Sequence, residues 1–217
     1  MSLIAVTPDK SELMGARDLS QNIIQQLMKT ETLNVVGIGN SITLVIAAVD
    51  VSRNIANVNV QSISLDYIPL TTTYAPEALF LELSKNPSTL PTLVENFEAK
   101  PFEDIIAKSI GVRRGDRLEA VTNQILWKLN KCDTIKILAS GFAIMTAVRS
   151  ALQVTTSKIT KEQVGISAIT IGSVKRKMQI ETEVAKRIPA IQIYLEKGKQ
   201  TEYPTNHRTI IEQVTAR

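Results

Sequence analysis

The chain has 217 residues, 44% of them apolar, with a formal net charge of +4 and a mean hydropathy of +0.05. That is apolar material enough for one core or for two domains of roughly 100 residues each. No stretch approaches the roughly 20 uninterrupted apolar residues of a membrane span, so none is expected. The single cysteine, Cys132, excludes an internal disulfide framework and fits a reducing compartment. MSLIAVTPDKSELMG lacks the basic start and apolar run of a secretory signal, and a cytoplasmic protein is expected. The charge is unevenly spread: residues 1–86 carry 5 Lys/Arg against 8 Asp/Glu, whereas residues 101–198 carry 16 against 9. A cationic half behind an acidic one points to a face meant for a polyanion; the alternative is a basic surface that serves solubility.

In chain order, Leu3–Thr7 reads as a short strand. Ser11–Lys29 reads as a helix with Leu13, Ala16, Ile23, Ile24 and Leu27 along one face. Ser11 offers an N-cap without the full capping box. Leu33–Gly39 is a continuous apolar run, the pattern of a strand buried on both faces. Ser41–Ala56 reads as a second helix with Ile42, Val45, Ile46, Val49 and Ile55 inward; Val58–Leu70 alternates as a strand and Ala78–Leu83 closes the set. NPSTLPTLVENFEAKP, with three prolines and no period, reads as a linker over 87–100.

The same order then returns. Ile105–Ser109 reads as a strand, Asp116–Asn130 as a helix with Leu118, Val121, Ile125 and Leu129 inward, and Thr134–Ser140 as a strand. Phe142–Thr155 reads as a helix, and Val164–Lys177 with Arg187–Lys197 as a closing hairpin. The tail, 199–217, is polar until Thr209–Val214, a candidate short helix.

Displacing the sequence by 102 positions lays Leu3–Ala56 over the region from Ile105 onward without a gap, LIAV over IIAK and LNVVGIGNSI over IKILASGFAI. After an insertion of four residues VNVQSISLDY lies over VGISAITIGS, and after six more ALFLELSK lies over AIQIYLEK. Agreement in pattern through so many elements points to a duplication. The expected organisation is two tandem α/β domains of strand–helix–strand–helix–strand–strand order, over 1–86 and 101–198.

IIAKSIGVRRGDRLEAV, ILASGFAI and IGSVKRKMQIETEVAKRIPAIQIYL bear a further likeness. A glycine followed by paired basic residues at the start of the first helix is supplied by Gly111, Arg113 and Arg114, with Arg117 one turn on and the pair one residue later than in the usual Gly-Lys-Lys. A strand ending in glycine before an isoleucine and the second helix is supplied by Gly141 with Ile144, and by Gly39 with Ile42. The arginine that usually follows that glycine is replaced by Phe142 and by Asn40. With the long basic hairpin as a third mark, about 180 residues of the chain resemble the Alba family of archaeal chromatin and RNA-binding proteins, whose relatives include small subunits of ribonuclease P and ribonuclease MRP. The resemblance implies an α+β two-layer fold, each half a four-stranded mixed sheet carrying two helices. Alba-like domains usually pair as homodimers, so it also implies that two copies in one chain can pair internally as a pseudo-dimer.

The residues carry their own chemistry. Arg113 and Arg114 precede a helix N-terminus, where unpaired backbone N–H groups and the dipole favour an anion, and two guanidiniums add charge and bidentate geometry. The alternative is a pair of solvated arginines on a loop. At the matching place in the first half stands TPDKSE, where Asp9 and Glu12 flank Lys10, a poor phosphate site. Lys175, Arg176, Lys177, Lys186 and Arg187 gather at the base of the second hairpin, Glu181 and Glu183 near its tip, with Met178 and Ile180 apolar there. Such a ribbon fixes position on a backbone and does not read sequence. The first half's equivalent, DYIPLTTTYAPEA, is short and carries Tyr67 and Tyr74, which either stack on bases or pack. Phe142 has the same two readings: stacking on an unpaired base, which favours RNA or single strands, or packing. Trp127 aligns with Gln25 and reads as a packing residue.

One histidine, His207, and one cysteine exclude the common metal-ligand spacings, and Cys132 sits at a helix end beside Asp133 with no partner base expected from the sequence. GIGNSI lacks the third glycine of a dinucleotide fingerprint. No enzyme, cofactor or metal is therefore expected. The expected function is non-catalytic, sequence-tolerant binding of RNA or DNA by the second domain, nucleoid-associated if the ligand is DNA. The alternatives are a protein-interaction subunit of a ribonucleoprotein or chromatin assembly, with homo-oligomers or protein partners, and a small-molecule binder using the GIGNSI turn.

Overall fold

Successive side chains of a strand point to opposite faces of its sheet, so the pairing register decides which residues each sheet offers to its helices. The computed structural model describes residues 2–71, 73–88, 90, 108–157, 163–175 and 187–216, with no side chain described for Lys175. The chain divides into two units, Met1–Pro91 with Glu202–Arg217, and Thr92–Thr201.

The first unit runs β1 (Leu3–Val6), α1 (Pro8–Leu13), α2 (Ala16–Leu27), β2 (Thr32–Ile38), α3 (Ser41–Ala56), β3 (Asn59–Tyr67) and β4 (Glu77–Ser84). Its sheet has the order β1-β2-β4-β3, with β1 parallel to β2 and the other pairs antiparallel. The second unit runs β5 (Ser109–Val112), α4 (Leu118–Leu129), β6 (Thr134–Ser140), a 3-10 turn at Gly141–Ala143, α5 (Ile144–Thr156), β7 (Val164–Lys175) and β8 (Arg187–Lys197). Its sheet has the matching order β5-β6-β8-β7 with the same directions. The mixed α/β architecture with two four-stranded sheets is thus as expected. No helix among the described residues is long and apolar enough to cross a membrane.

The registers agree residue by residue. Leu33 pairs with Leu83 and Val35 with Leu81; 102 positions on, Ile135 pairs with Leu195 and Ile137 with Ile193. The third strand of each unit carries a bulge at the same place, between Val60 and Ser62 and between Ile166 and Ala168. A bulge adds a residue to one strand only and flips the phase of the residues after it, so two generic sheets would not place it alike. In both units the inner face is aliphatic and fully buried: Leu33, Val35, Leu79, Leu81 and Leu83 in the first, Ile135, Ile137, Ile191, Ile193 and Leu195 in the second. The two long helices of each unit pack side by side through short polar contacts. Ser20 Oγ lies 2.9 Å from Ser52 Oγ, and Thr122 Oγ1 donates to Gln153 Oε1 at 3.3 Å.

Three expectations need correction. The first helix of the first unit is not continuous over Ser11–Lys29. It starts at Pro8, which suits a first helical turn, and breaks at Met14 and Gly15, both extended, before α2 restarts with Asp18 Oδ2 accepting the Gly15 N–H at 3.1 Å. Leu13 therefore ends up 92% exposed instead of inward, and Ile55, at the last turn of α3, is 67% exposed. The first strands also do not align without a gap. Leu3 pairs with Asn34, but it is Ser109, not Ile105, that pairs with Lys136. The extra residues of the first unit form α1. Residues 105–107 of the expected strand lie outside the described residues.

After Thr201 the chain returns to the first unit, where α6 (His207–Thr215) lies on the outer face of its sheet. Ile210 and Val214 of α6 share a buried cluster with Val36, Ile38, Ile68, Ala78 and Phe80. His207 anchors the contact: its Nε2 is 3.0 Å from Asp66 Oδ2, Phe80 meets its ring edge-on at 4.3 Å and Tyr203 stacks on it at 4.5 Å. Asn206 Nδ2 donates to Asn34 Oδ1 at 3.2 Å. Burial, helped by the charge of Asp66 and a hydrogen bond to it, pushes the Tyr203 phenol up to about 12.

Candidate nucleic-acid interface

Because β5 and β6 are parallel and β8 is antiparallel to β6, one end of the second sheet receives the C-terminal ends of β5, β6 and β7 and the start of β8. Sequence places most of the candidate cations at these points. Arg113, Arg114 and Arg117 follow β5, Phe142 follows β6, and Lys175 pairs with Arg187 where the hairpin leaves the sheet.

Arg113–Asp116 forms a reverse turn. The Asp116 N–H donates to the Arg113 carbonyl at 3.1 Å, and Gly115 takes the left-handed φ of 93° that the turn's third position needs. The Asp116 carboxylate accepts the Arg113 N–H at 2.7 Å, which locks the turn. Helix α4 then begins at Leu118, with Arg117 as its N-cap residue and no side chain capping its first N–H groups. The arginine pair thus stands one turn ahead of the helix and not on its first residues. Arg113, Arg114 and Arg117 are all exposed.

Gly141 holds φ at +55°, as Gly39 does in the first unit, so both second helices are entered through the same left-handed turn. A β-carbon at Gly141 would meet Ile188 Cγ2 at 3.3 Å, so the turn lies against the base of the hairpin. The turn sends Phe142 outward, 79% exposed, which forgoes about 2 kcal/mol of burial. Its ring lies under the Arg114 guanidinium at 5.0 Å, a cation–π contact that joins the two turns. Arg187 is exposed; Arg176, Lys177, Lys186, Met178 and Ile180 lie outside the described residues.

The described part of the second unit holds 12 Lys/Arg against 4 Asp/Glu. At the equivalent end of the first unit, α1 fills the place of the arginine turn, Pro8 Cγ standing 3.6 Å from a β-carbon at Gly39, and Asn40 replaces Phe142. The GIGNSI hydroxyl is committed internally. Ser41 Oγ takes the Ile38 N–H at 2.7 Å and donates to the Val6 carbonyl at 2.5 Å, tying β1, β2 and α3 together. A groove of about 250 Å³ lies beside β1, lined by Lys10, Met14, Asn22 and Gln26 among others. Trp127, read as a packing residue, is instead 56% exposed with Lys131 Nζ 3.7 Å above its ring, and Tyr74 is 55% exposed. No group of acidic, histidine and cysteine side chains fit to hold a metal occurs among the described residues.

Sequence reasoning missed Lys136, Gln192 and Tyr194, which share the outer face of the second sheet. The signal was present in AIQIYLEK, where Gln192 and Tyr194 alternate with Ile191, Ile193 and Leu195. No protein-family model matches the chain, and no curated protein matches it in sequence.

Proposed function

We propose that the second unit binds RNA or DNA through phosphates, with little dependence on sequence, and that the first unit is its structural companion in a non-catalytic, cytoplasmic protein, as the resemblance to Alba domains suggests. The observation that carries this reading is the meeting of Arg114 with Phe142 at the same sheet end as Arg113, Arg117 and the Lys175–Arg187 hairpin base. Arg113, Arg114 and Arg117 follow the same sheet end, all exposed, and a polyanion would meet them by charge and by bidentate geometry. The aromatic ring beneath one of them supplies a surface for a base or sugar.

Salt dependence tests the reading. If roughly four to six phosphates are neutralised, affinity for a single strand falls by about three to four decades per decade of salt, and somewhat more steeply on duplex DNA. Replacing both Arg113 and Arg114 by alanine lowers that slope by about one to two. A slope unchanged by the double substitution overturns the site.

A further inference from the structure

In the first unit, the face of the sheet turned away from α2 and α3 carries Val36, Ile38, Ala78 and Phe80 and is sealed by α6. Register carries each position to the second unit. Val36 opposite Phe80 becomes Leu138 opposite Gln192, Ile38 becomes Ser140, and Asn34 opposite Glu82 becomes Lys136 opposite Tyr194. Lys136, Leu138, Gln192 and Tyr194 are half-exposed there, and Ser140 and Ala168 exposed. Helices α4 and α5 pack side by side over the opposite, aliphatic face. Where its sister is apolar, this face sets Lys136, Gln192, Ser140 and Tyr194 around Leu138, with Thr170 and Ala190 buried within it.

The ring is laid out for contact. Tyr194 OH donates to Gln192 Oε1 at 3.0 Å, two residues along the same strand, so the phenol lies along β8. Lys136 Nζ stands 5.9 Å from the ring centre, and on β7 the pairing partner of Tyr194 is Ala168, too small to cover the ring from that side. From Lys136 the face leads along β6 to Ser140 and the Gly141 turn, where Phe142 and Arg114 stand. That path is about 13 Å of strand, the length of a few nucleotides.

We propose that the outer face of the second sheet is a platform for an unpaired strand of nucleic acid. One base stacks on Tyr194 with its phosphate near Lys136, and the strand continues to Phe142 and Arg114. Charge complementarity with Lys136 and a ring left open on its Ala168 side favour this ligand, because a paired base inside a duplex cannot offer its face to a flat sheet. The inference rests on the phosphate-binding reading above and adds which part of the ligand the sheet holds.

The test is anisotropy titration of the full chain with a 12-nucleotide uridine strand and a 12-base-pair duplex. Tyr194→Leu is expected to weaken the single strand about tenfold and leave the duplex unchanged. Equal weakening of both, or no weakening of the single strand, overturns the platform; if Arg113→Ala with Arg114→Ala still weakens both ligands, the phosphate reading survives that failure. A wild-type chain that binds neither ligand overturns both. Because Tyr194→Leu can disturb the sheet, the unmutated chain is also photo-crosslinked to a 4-thiouridine strand and digested with trypsin. An adduct on the Ile188–Lys197 peptide supports the platform, and adducts found only outside β6 and β8 overturn it.

Discussion

Phe80 of the first unit and Gln192 of the second sit at one register position, opposite Val36 and Leu138, yet one is sealed beneath α6 and the other is half-exposed. The inner faces show no such divergence: Leu81 and Ile193 differ only in aliphatic shape, and Leu83 and Leu195 not at all. A position that fills a core under two helices is held by packing, where a change of even one methylene is felt. An outer position is released from that constraint whenever solvent or a ligand takes the place of a helix. The strand ends differ by the same logic, since α1 occupies in the first unit the place that the Arg113–Asp116 turn leaves to solvent in the second.

The largest expected effect comes from breaking the seal. Removing residues 202–217 takes Ile210, Val214 and His207, all buried, off the first sheet and exposes Phe80 and its neighbours. At about 1.5–3 kcal/mol for each apolar side chain, the first unit loses roughly 5 kcal/mol, close to the whole stability of a small domain. Denaturant unfolding followed by hydrogen exchange is expected to show the first unit opening while amides of β6 and β8 keep their protection; equal loss in both units would contradict the separation.

Exchanging the sister residues sharpens the contrast. Phe80→Gln puts an unpartnered amide into the α6 contact and is expected to cost about 3 kcal/mol. Gln192→Phe, on the half-exposed face, is expected to stay within about 1 kcal/mol. Urea midpoints at constant m-value measure both, and equal costs would mean that the two faces are equally buried.

The smallest effect is alkaline. The Tyr203 phenol is raised in the folded state from its usual 10 to about 12, chiefly by burial and then by Asp66. Its contribution to holding α6 is therefore complete below pH 10 and disappears as pH rises towards 12. Tyr203 is 44% exposed, so solvent screening keeps the effect modest. Thermal melts of wild type and Tyr203→Phe across that window are expected to converge as the phenol ionises; parallel curves would remove Tyr203 from the clamp.

Much of this architecture was legible before any fold was known. Helix α2 and helix α4 keep the 102-position spacing found by sliding the chain on itself, and the later insertions of four and six residues match the register of β7 and β8. The break at Met14–Gly15 was hidden because Leu13 and Ala16 continue the helical spacing of α2, and only the extended backbone and the Asp18 cap interrupt it. Of the interface, residue types were readable at Arg113, Arg114 and Phe142, but not that Arg114 would lie over the ring, since 28 positions of chain separate them.

By itself the sequence determined that two like α/β units follow one another, with cations concentrated in the second, because hydrophobic periodicity and charge are local properties of the chain. Tertiary structure alone decided that Ser109 and not Ile105 opens the second sheet, and that α6 travels back to the first. It alone gathered the arginine turn and Phe142 at one sheet end. These outcomes depend on which apolar face finds a complementary surface far along the chain, a choice among long-range pairings that no single segment encodes.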